Sequence, residues 1–583
     1  MTAANTTPPV LPFPTSAAAR NAVRRVELEA EAETPADRAA VETAVTKILG
    51  DQKLEALDPR RVFGDGPIAD HCSAVAAKFK IPATTCVLVA LGLRSIGCAD
   101  RVRLRVRDEE ANGGWFVTAQ HVWACSELHA STGKSALFKD LGESRLSGFN
   151  SRVKQAWSDV VLTDRVRRDA AMGVAKRKGA TEGDRKKAAR LRETPAHCVP
   201  DAYQDRTTVQ DFRGQMLRAG YCYTVQAEGS EFFNQFVFET LAVNDLNDGF
   251  SGARGTASTK KERNEGGLPI FEEWHCSIVL SPQPGWVSPT NAKHRENLLE
   301  AAGRLGLLAR FLCARGHEGT PAVCSMTASE RGLASVAYNE DLARFLFVSP
   351  PVIVGEDERT PGLERHPLAP RRSADDGSQV YAGSYVDADG EAAERLLAYQ
   401  RGHKATQREI NEAATKRGLK NDPRANLHGR IGELAMRVAG LLALIREGGV
   451  EAVLRDGVYP HVTLDEAERA IYLCDTLIPH AEHMLAEAVL GEVATIVGKV
   501  VRILAEHGRM REKRLWSSHL QHLPEEVTLS GQTKPAVDKA LSRAELYGFI
   551  VKEPGRGKAV FYDLSPSAWR AVRARRPALQ EAA

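Results

Sequence analysis

The spacing of apolar positions changes character several times along the chain, and each change predicts an element. From Gly66 onward, "IADHCSAVAAKFKIPATTCVLVALGLRSIGC" sets small and apolar residues at helical intervals, interrupted at Ile81-Pro82, which predicts two packed helices. Residues 101 to 107, "RVRLRVR", alternate arginine with Val or Leu, and period two means a strand with one wet face. That face suits a solvated strand better than a DNA contact. "GGWFVTAQHVWACSE" supplies a second apolar strand, Tyr221 to Val225 in "AGYCYTVQAEGSEFFNQF" another, and "EEWHCSIVLSPQPGW" one more that ends in polar Ser281 and Gln283. Strands that end in polar residues and alternate with helical stretches predict a parallel α/β sheet with its site at the carboxyl ends.

In the last third the period is helical. "GRIGELAMRVAGLLALIREG" puts Ile431, Leu434, Met436, Val438, Leu441, Leu442 and Ile445 along a broad apolar face, a core helix. "TLDEAERAIYLCDTLIPHAEHMLAEA" opens with Thr463 as N-cap and Glu466 three residues on, a capping box. "VATIVGKVVRILAEHG", "EKRLWSSHL", "TKPAVDKALSRAELYGFIVKEP" and "GRGKAVFYDLS" then read as helix, helix, helix and β-hairpin. At 583 residues the chain exceeds one ordinary core. The expected division is a disordered leader with a short surface helix over 1–60, a helical part over 61–125 leading into the first strands, and an α/β core over 126–354. A polar connection over 355–390, a helical domain over 391–490 and a separate module over 491–575 follow.

Lys+Arg 78 against Asp+Glu 75 leaves a net charge of +3, so a nucleic-acid surface must come from local clusters. The densest cluster is 165–192, with eleven Lys/Arg and three acids. Such a run is either a solvated helix or a set of phosphate contacts. Ten scattered cysteines without a C-x-x-C pair suit a reducing compartment. No apolar run approaches the ~20 residues that cross a bilayer, and the N-terminus lacks a basic-then-apolar signal order, so a soluble, cytoplasmic protein without membrane contact is expected.

The candidate chemistry sits in "WACSELHASTGKSALFKDL", residues 123 to 141, where a strand, a loop and a helix follow one another. In a phosphate loop the backbone N–H groups surround phosphate oxygens, Lys134 reaches the outer phosphates and the Ser135 hydroxyl ligates magnesium, with Ser131, Thr132 and Gly133 completing the cradle. Leu128 stands where the pattern has its first glycine. The alternative is an ordinary helix start capped by Ser131 or Thr132. Hydrolysis also needs an acid at the end of another buried strand. Glu228 is placed to polarise water, although Gln226 and Ala227 precede it where an aspartate often stands, and Glu231 lies near; both glutamates also suit a charged turn. Gln283 is placed as RecA-like sheets place the polar residue that senses the terminal phosphate, and a turn enforced by Pro282 and Pro284 is the alternative.

The ordered series "RVRLRVR", "STGKSALFKDL", "QDRTTVQDF", the glutamate strand, "LNDGFSGARGTASTKKER", "CSIVLSPQP", "LGLLARFL" and "GRIGELAMRVAGLLALI" resembles the YfjI-like P-loop proteins of prophages and mobile elements over about residues 62 to 490. These look related to replicative primase-helicase ATPases. The resemblance implies a RecA-like P-loop ATPase core, ATP and magnesium as cofactors, a ring-shaped homo-oligomer and replication as setting, with priming left to a separate protein. It also implies catalytic arginines, Arg310 first and Arg254 second; a helix-surface role is the alternative for Arg310. "ALSRAELYGFIVKEPGRGKAVFYDL" looks like the run of a winged helix from recognition helix into wing, which implies DNA contacts from Lys534, Lys539 and Arg543 on the helix and from Arg556 and Lys558 on the wing. Two functions follow: an ATP-dependent, helicase-like DNA motor or remodelling ATPase, or a nucleotide-binding but non-hydrolysing DNA-binding regulator or assembly platform. His480 and His483 are spaced like metal ligands but lack a third partner.

Overall fold

The computed structural model describes residues 35–48, 54–98, 101–111, 114–193, 208–219, 221–239, 241–251, 275–287, 289, 291–348, 371–372, 381–382, 384–419, 422–515, 529, 532–555 and 559–574. Arg254 and the basic loop around it, and Arg556 and Lys558 of the hairpin turn, lie outside them.

In chain order, helices α1 (Pro35–Ile48), α2 (Pro67–Phe79) and α3 (Thr84–Cys98) precede strands β1 (Val102–Arg107), β2 (Trp115–Ala119) and β3 (Trp123–Glu127). Next come α4 (Lys134–Asp140), α5 (Glu143–Ala175), α6 (Glu182–Glu193), β4 (Tyr221–Gln226), α7 (Val243–Ser251), β5 (His275–Leu280), α8 (Ala292–Ala302), β6 (Phe311–Arg315) and α9 (Ala328–Phe345). Further along are β7 (Ser384–Ala388), α10 (Gly390–Lys416), α11 (Pro423–Arg446), α12 (Leu464–Leu490), α13 (Ala494–His507), β8 (Met510–Arg511), α14 (Lys534–Leu546), β9 (Ile550–Pro554), β10 (Val560–Leu564) and α15 (Pro566–Ala574), with shorter pieces between them. No described helix is long and apolar enough to cross a membrane.

The mixed α/β expectation holds. The central sheet runs β4-β5-β3-β6 and every pair in it is parallel. β3, β4 and β5 are buried at every position, as a parallel sheet covered on both faces requires. Gly92 lets α3 lie close on this sheet, because a Cβ there would sit 2.5 Å from Val279 Cγ2. Trp123 fills the sheet's centre and donates its indole N–H to Cys276 O at 2.6 Å.

The stretch read as one strand, 113–127, is two. β2 pairs antiparallel with β1, then Gln120 turns inward, donates to the Arg437 carbonyl and ends the pairing, and β3 enters the central sheet. A buried amide needs that carbonyl, so the break is set by α11 and not by local pattern. β7 falls within the stretch read as a connection. It pairs parallel with β1, and Asp387 receives the Arg105 guanidinium at 2.8 and 2.6 Å. The arginine face of β1 is thus neither a DNA contact nor wholly solvated at Arg105, which is spent on an internal ion pair, and only Arg107 is exposed.

One hydrophobic cluster joins residues from Leu57 to Ala488, so the helical N-terminal part, the sheet and α10–α12 form a single body. A second cluster holds α13–α15 and the small sheet β8-β10-β9, and it includes Val41, Ala44 and Val45 of α1. The leader helix is therefore not a surface helix: those three residues are buried, it packs on α15, and Glu42 pairs with Arg570 at 2.8 Å. The capping box at Thr463 and Glu466 forms as expected.

Candidate phosphate-binding site

β3 delivers the chain to the loop at Leu128, which is buried and donates its N–H to Pro282 O at 3.0 Å. A tight turn over Ala130–Thr132 follows, closed by Thr132, whose N–H and hydroxyl both go to His129 O. Gly133 stands at φ 71°, ψ 41°, left-handed backbone that favours glycine, and α4 begins at once. Among described non-glycine residues only Lys80 and Leu241 have positive φ, so neither Leu128 nor Ser131 occupies backbone that demands a glycine. The missing glycine is compatible with this loop.

Lys134 turns inward. Its side chain is 1% exposed, its ammonium donates to Ser281 O at 2.9 Å, and Glu228 Oε2 lies 3.4 Å away. Gln283 Nε2 donates to the same Glu228 oxygen at 3.2 Å. Three residues chosen from separate strand ends, 134, 228 and 283, therefore meet. The strand ends are locked to one another, since Ser281 donates through its N–H to Gln226 O at 3.0 Å and through its hydroxyl to Ser126 O at 2.8 Å. Burial pushes the Lys134 pKa down, and the Glu228 carboxylate opposes that. Glu228 keeps 57% of its side chain in solvent, so water reaches it. Ser131 and Ser135 are exposed at the loop.

The sequence reading missed a second charged layer beneath the loop. Glu127, the last residue of β3, is fully buried and pairs with Arg315 Nε at 3.1 Å; Arg315 also meets Glu318 at 2.9 Å and Glu487 of α12 at 3.6 Å. A glutamate closing an apolar strand one residue before the loop was the available signal. His317 accompanies it, its ring 4.5 Å from that of His129. His480 belongs here too: its Nδ1 accepts the Arg315 N–H at 3.1 Å and its Nε2 faces Glu55 O at 2.9 Å, so both ring nitrogens are engaged. Among the described residues, no group of three or more His, Cys, Asp or Glu is arranged to hold a metal ion. A magnesium ion here would rest on the Ser135 hydroxyl and on phosphate oxygens brought by a nucleotide, which suits an ion that keeps few protein ligands.

The remaining candidates lie elsewhere. Arg310 stands just before β6, at the end of the sheet opposite the loop, 7% exposed, with Nη1 donating to Leu305 O at 3.1 Å and Gly306 O at 2.7 Å. Burial, reinforced by Arg430, pulls its pKa down to about 10. Arg310→Gln is expected to lower unfolding stability by about 1–3 kcal/mol, the cost of two carbonyls left without their donor, while nucleotide turnover per folded molecule stays within about twofold. Urea melts beside turnover assays check this, and selective loss of turnover would restore a catalytic role. Lys534 and Lys539 are exposed on α14. Arg543 instead donates to Val489 O at 2.7 Å and Leu490 O at 3.2 Å, closing the C-terminal end of α12. With Lys539 and Tyr547 it lines a cavity of about 730 Å³ against α8.

No protein-family model, no curated protein and no solved structure matches the chain.

Proposed function

We propose that the chain is an ATP-dependent, helicase-like DNA motor or remodelling ATPase of a prophage or similar element, acting in replication, with a RecA-like P-loop core and a C-terminal winged helix. The observation that carries this is the meeting of Lys134, Glu228 and Gln283 at neighbouring strand ends, linked at 3.4 and 3.2 Å. Supporting it, β3 with the loop and β4 with the glutamate are separated by β5 with Gln283, so a terminal phosphate beside Lys134 lies between an acid that can orient water and an amide that can sense it.

In this reading Lys134 stabilises charge on the outer phosphates and Glu228 accepts a hydrogen bond from the attacking water. Gln283 keeps the Glu228 carboxylate turned toward the site. Magnesium, when bound with nucleotide, supplies charge neutralisation on the phosphates. The order α13, β8, α14, β9–β10 supports the winged-helix assignment, with Lys534 and Lys539 as its remaining DNA-facing cations among the described residues.

The test is ATP hydrolysis by the purified chain with and without single-stranded and duplex DNA. Turnover stimulated by DNA supports the motor. Nucleotide and DNA binding without turnover overturns it in favour of the second reading, a non-hydrolysing regulator or assembly platform. That reading draws on the Lys134–Glu228 pairing, which engages the phosphate-reaching cation and the water-orienting acid with each other.

A further inference from the structure

We propose that the helical hairpin α5–α6 is an arm that grips duplex DNA through its phosphates. This rests on the DNA-acting function proposed above and names a contact surface separate from the C-terminal unit.

α5 has 33 residues, and among its described side chains Val153 is the last that is buried. At 1.5 Å per residue the stretch from 154 to 175 extends about 33 Å. α6 packs along α5, holds Ala188 at 5% exposure, and starts at a reciprocal cap in which Thr181 N–H donates to Asp184 at 2.9 Å and Asp184 N–H donates to Thr181 at 3.2 Å. Side chains added at Gly173 and Gly179 would meet nothing within 4 Å. The hairpin is a defined element that stands out from the body.

Its charge then decides the partner. Eleven Lys/Arg against three Asp/Glu over 165–192 give a net +8 in a chain of net +3, which leaves −5 on the rest. Even with the flanking Asp164 and Glu193 counted, five acids face eleven cations, and of these acids Asp184 already serves the cap while Glu182 pairs with Lys186 at 2.9 Å. Arg165, Lys176, Arg177, Lys178, Arg185 and Lys187 are exposed. Like charges held this close on two helices repel, a cost that an anionic partner with repeated charges removes. Residues 165–192 contain no Phe, Trp, Tyr or His, so the arm has no platform for stacking unpaired bases. Single-strand binding relies on such platforms, whereas backbone contact to a duplex does not.

The base of the arm is tied to the candidate nucleotide site. α5 follows α4 after only Leu141 and Gly142; Tyr338 of α9 donates to Leu141 O at 2.9 Å, and a Cβ on Gly142 would lie 2.5 Å from Leu342 Cδ2. Leu146 and Phe149 anchor the first turns in the core.

The test is fluorescence anisotropy of the full chain with a duplex of about 30 base pairs from about 50 to 200 mM salt, comparing wild type with Lys176→Gln/Arg177→Gln/Lys178→Gln/Lys187→Gln. The four positions are exposed and glutamine is a good helix former, so the fold is retained, which a thermal melt verifies. The expected result is a loss of about 10- to 100-fold at the lowest salt and a slope of log K against log salt reduced by about 2 to 4. Equal affinity and slope in both proteins, with wild type binding the duplex, overturns the arm and leaves the DNA-acting function standing. A change only in sedimentation, through exposed Leu162 and Val166, makes the arm a self-association surface and also overturns it. Wild type that binds phosphatidylserine vesicles and not the duplex overturns the arm and the DNA-acting function together.

Discussion

Lys134→Ala is expected to cut ATP turnover by about 100-fold or more and to weaken nucleotide binding, because it deletes the cation that the fold brings to the strand ends 3.4 Å from Glu228. Glu228→Gln is expected to behave differently: turnover falls by about 10²- to 10³-fold while nucleotide affinity changes little, since a neutral amide keeps the shape but loses the negative charge and one of the two acceptor oxygens that orient water. Steady-state hydrolysis beside equilibrium binding of a fluorescent ATP analogue separates the two. If both variants hydrolyse as the wild type does, the site is elsewhere. If Lys134→Ala changes folding, a urea melt shows it, because Ser281 O loses its ammonium donor; Lys134→Arg then serves as the charge-preserving comparison.

The largest effect on stability is expected at Arg437. It is completely buried in α11, donates to His121 O and Phe250 O at 3.0 Å each and to Glu433 at 2.6 Å, and lies 3.9 Å over the Phe250 ring. One guanidinium thereby joins α11, the amino end of β3 and the end of α7. Arg437→Met is expected to cost about 3–5 kcal/mol, since Glu433 and two carbonyls lose their donor inside the protein. Adding Glu433→Gln should recover part of that loss, a coupling that a double-mutant cycle measures.

The same cluster sets an acid limit. Burial alone would push the Glu433 pKa up, but Arg437 and Arg430 together hold it down to about 2. A folded pKa below the ordinary value of 4.5 means that the unfolded chain takes up this proton first. The contribution is therefore complete above pH 4.5 and is lost as pH falls from 4.5 toward 2; it is on the order of 3 kcal/mol. Glu433→Gln should flatten the stability profile in that window, and an unchanged profile would remove the cluster from the account.

Three of the four central strands and the Lys134, Glu228 and Gln283 grouping were legible in the sequence because a parallel strand buried on both faces is an apolar run, and its carboxyl end is where polar residues resume; β6 was not, since "LGLLARFL" reads as a helix with Phe311 on its core face. Features fixed by distant partners were not. Gln120 ends a strand only because α11 presents a carbonyl to it, and Glu127 looks like any strand end until Arg315, nearly 190 residues later, is seen to cover it. Arg543 has the position of a groove-reading residue on α14, yet the unfilled carbonyls at the end of α12 claim it. Arg310 reads as a free arginine beside an apolar face, and two carbonyls of the preceding turn take it inward.

The place of α1 has a consequence for how the chain is made. Two of its partners, α13 and α15, are synthesised roughly 450 residues or more after it, which at ribosomal rates is a wait on the order of half a minute. During that time only α10 and α12, which are made earlier, can cover Val41, Ala44 and Val45. The C-terminal unit cannot close its own core until this early segment returns, so it is completed last, and a fragment that starts at α13 lacks part of its interior.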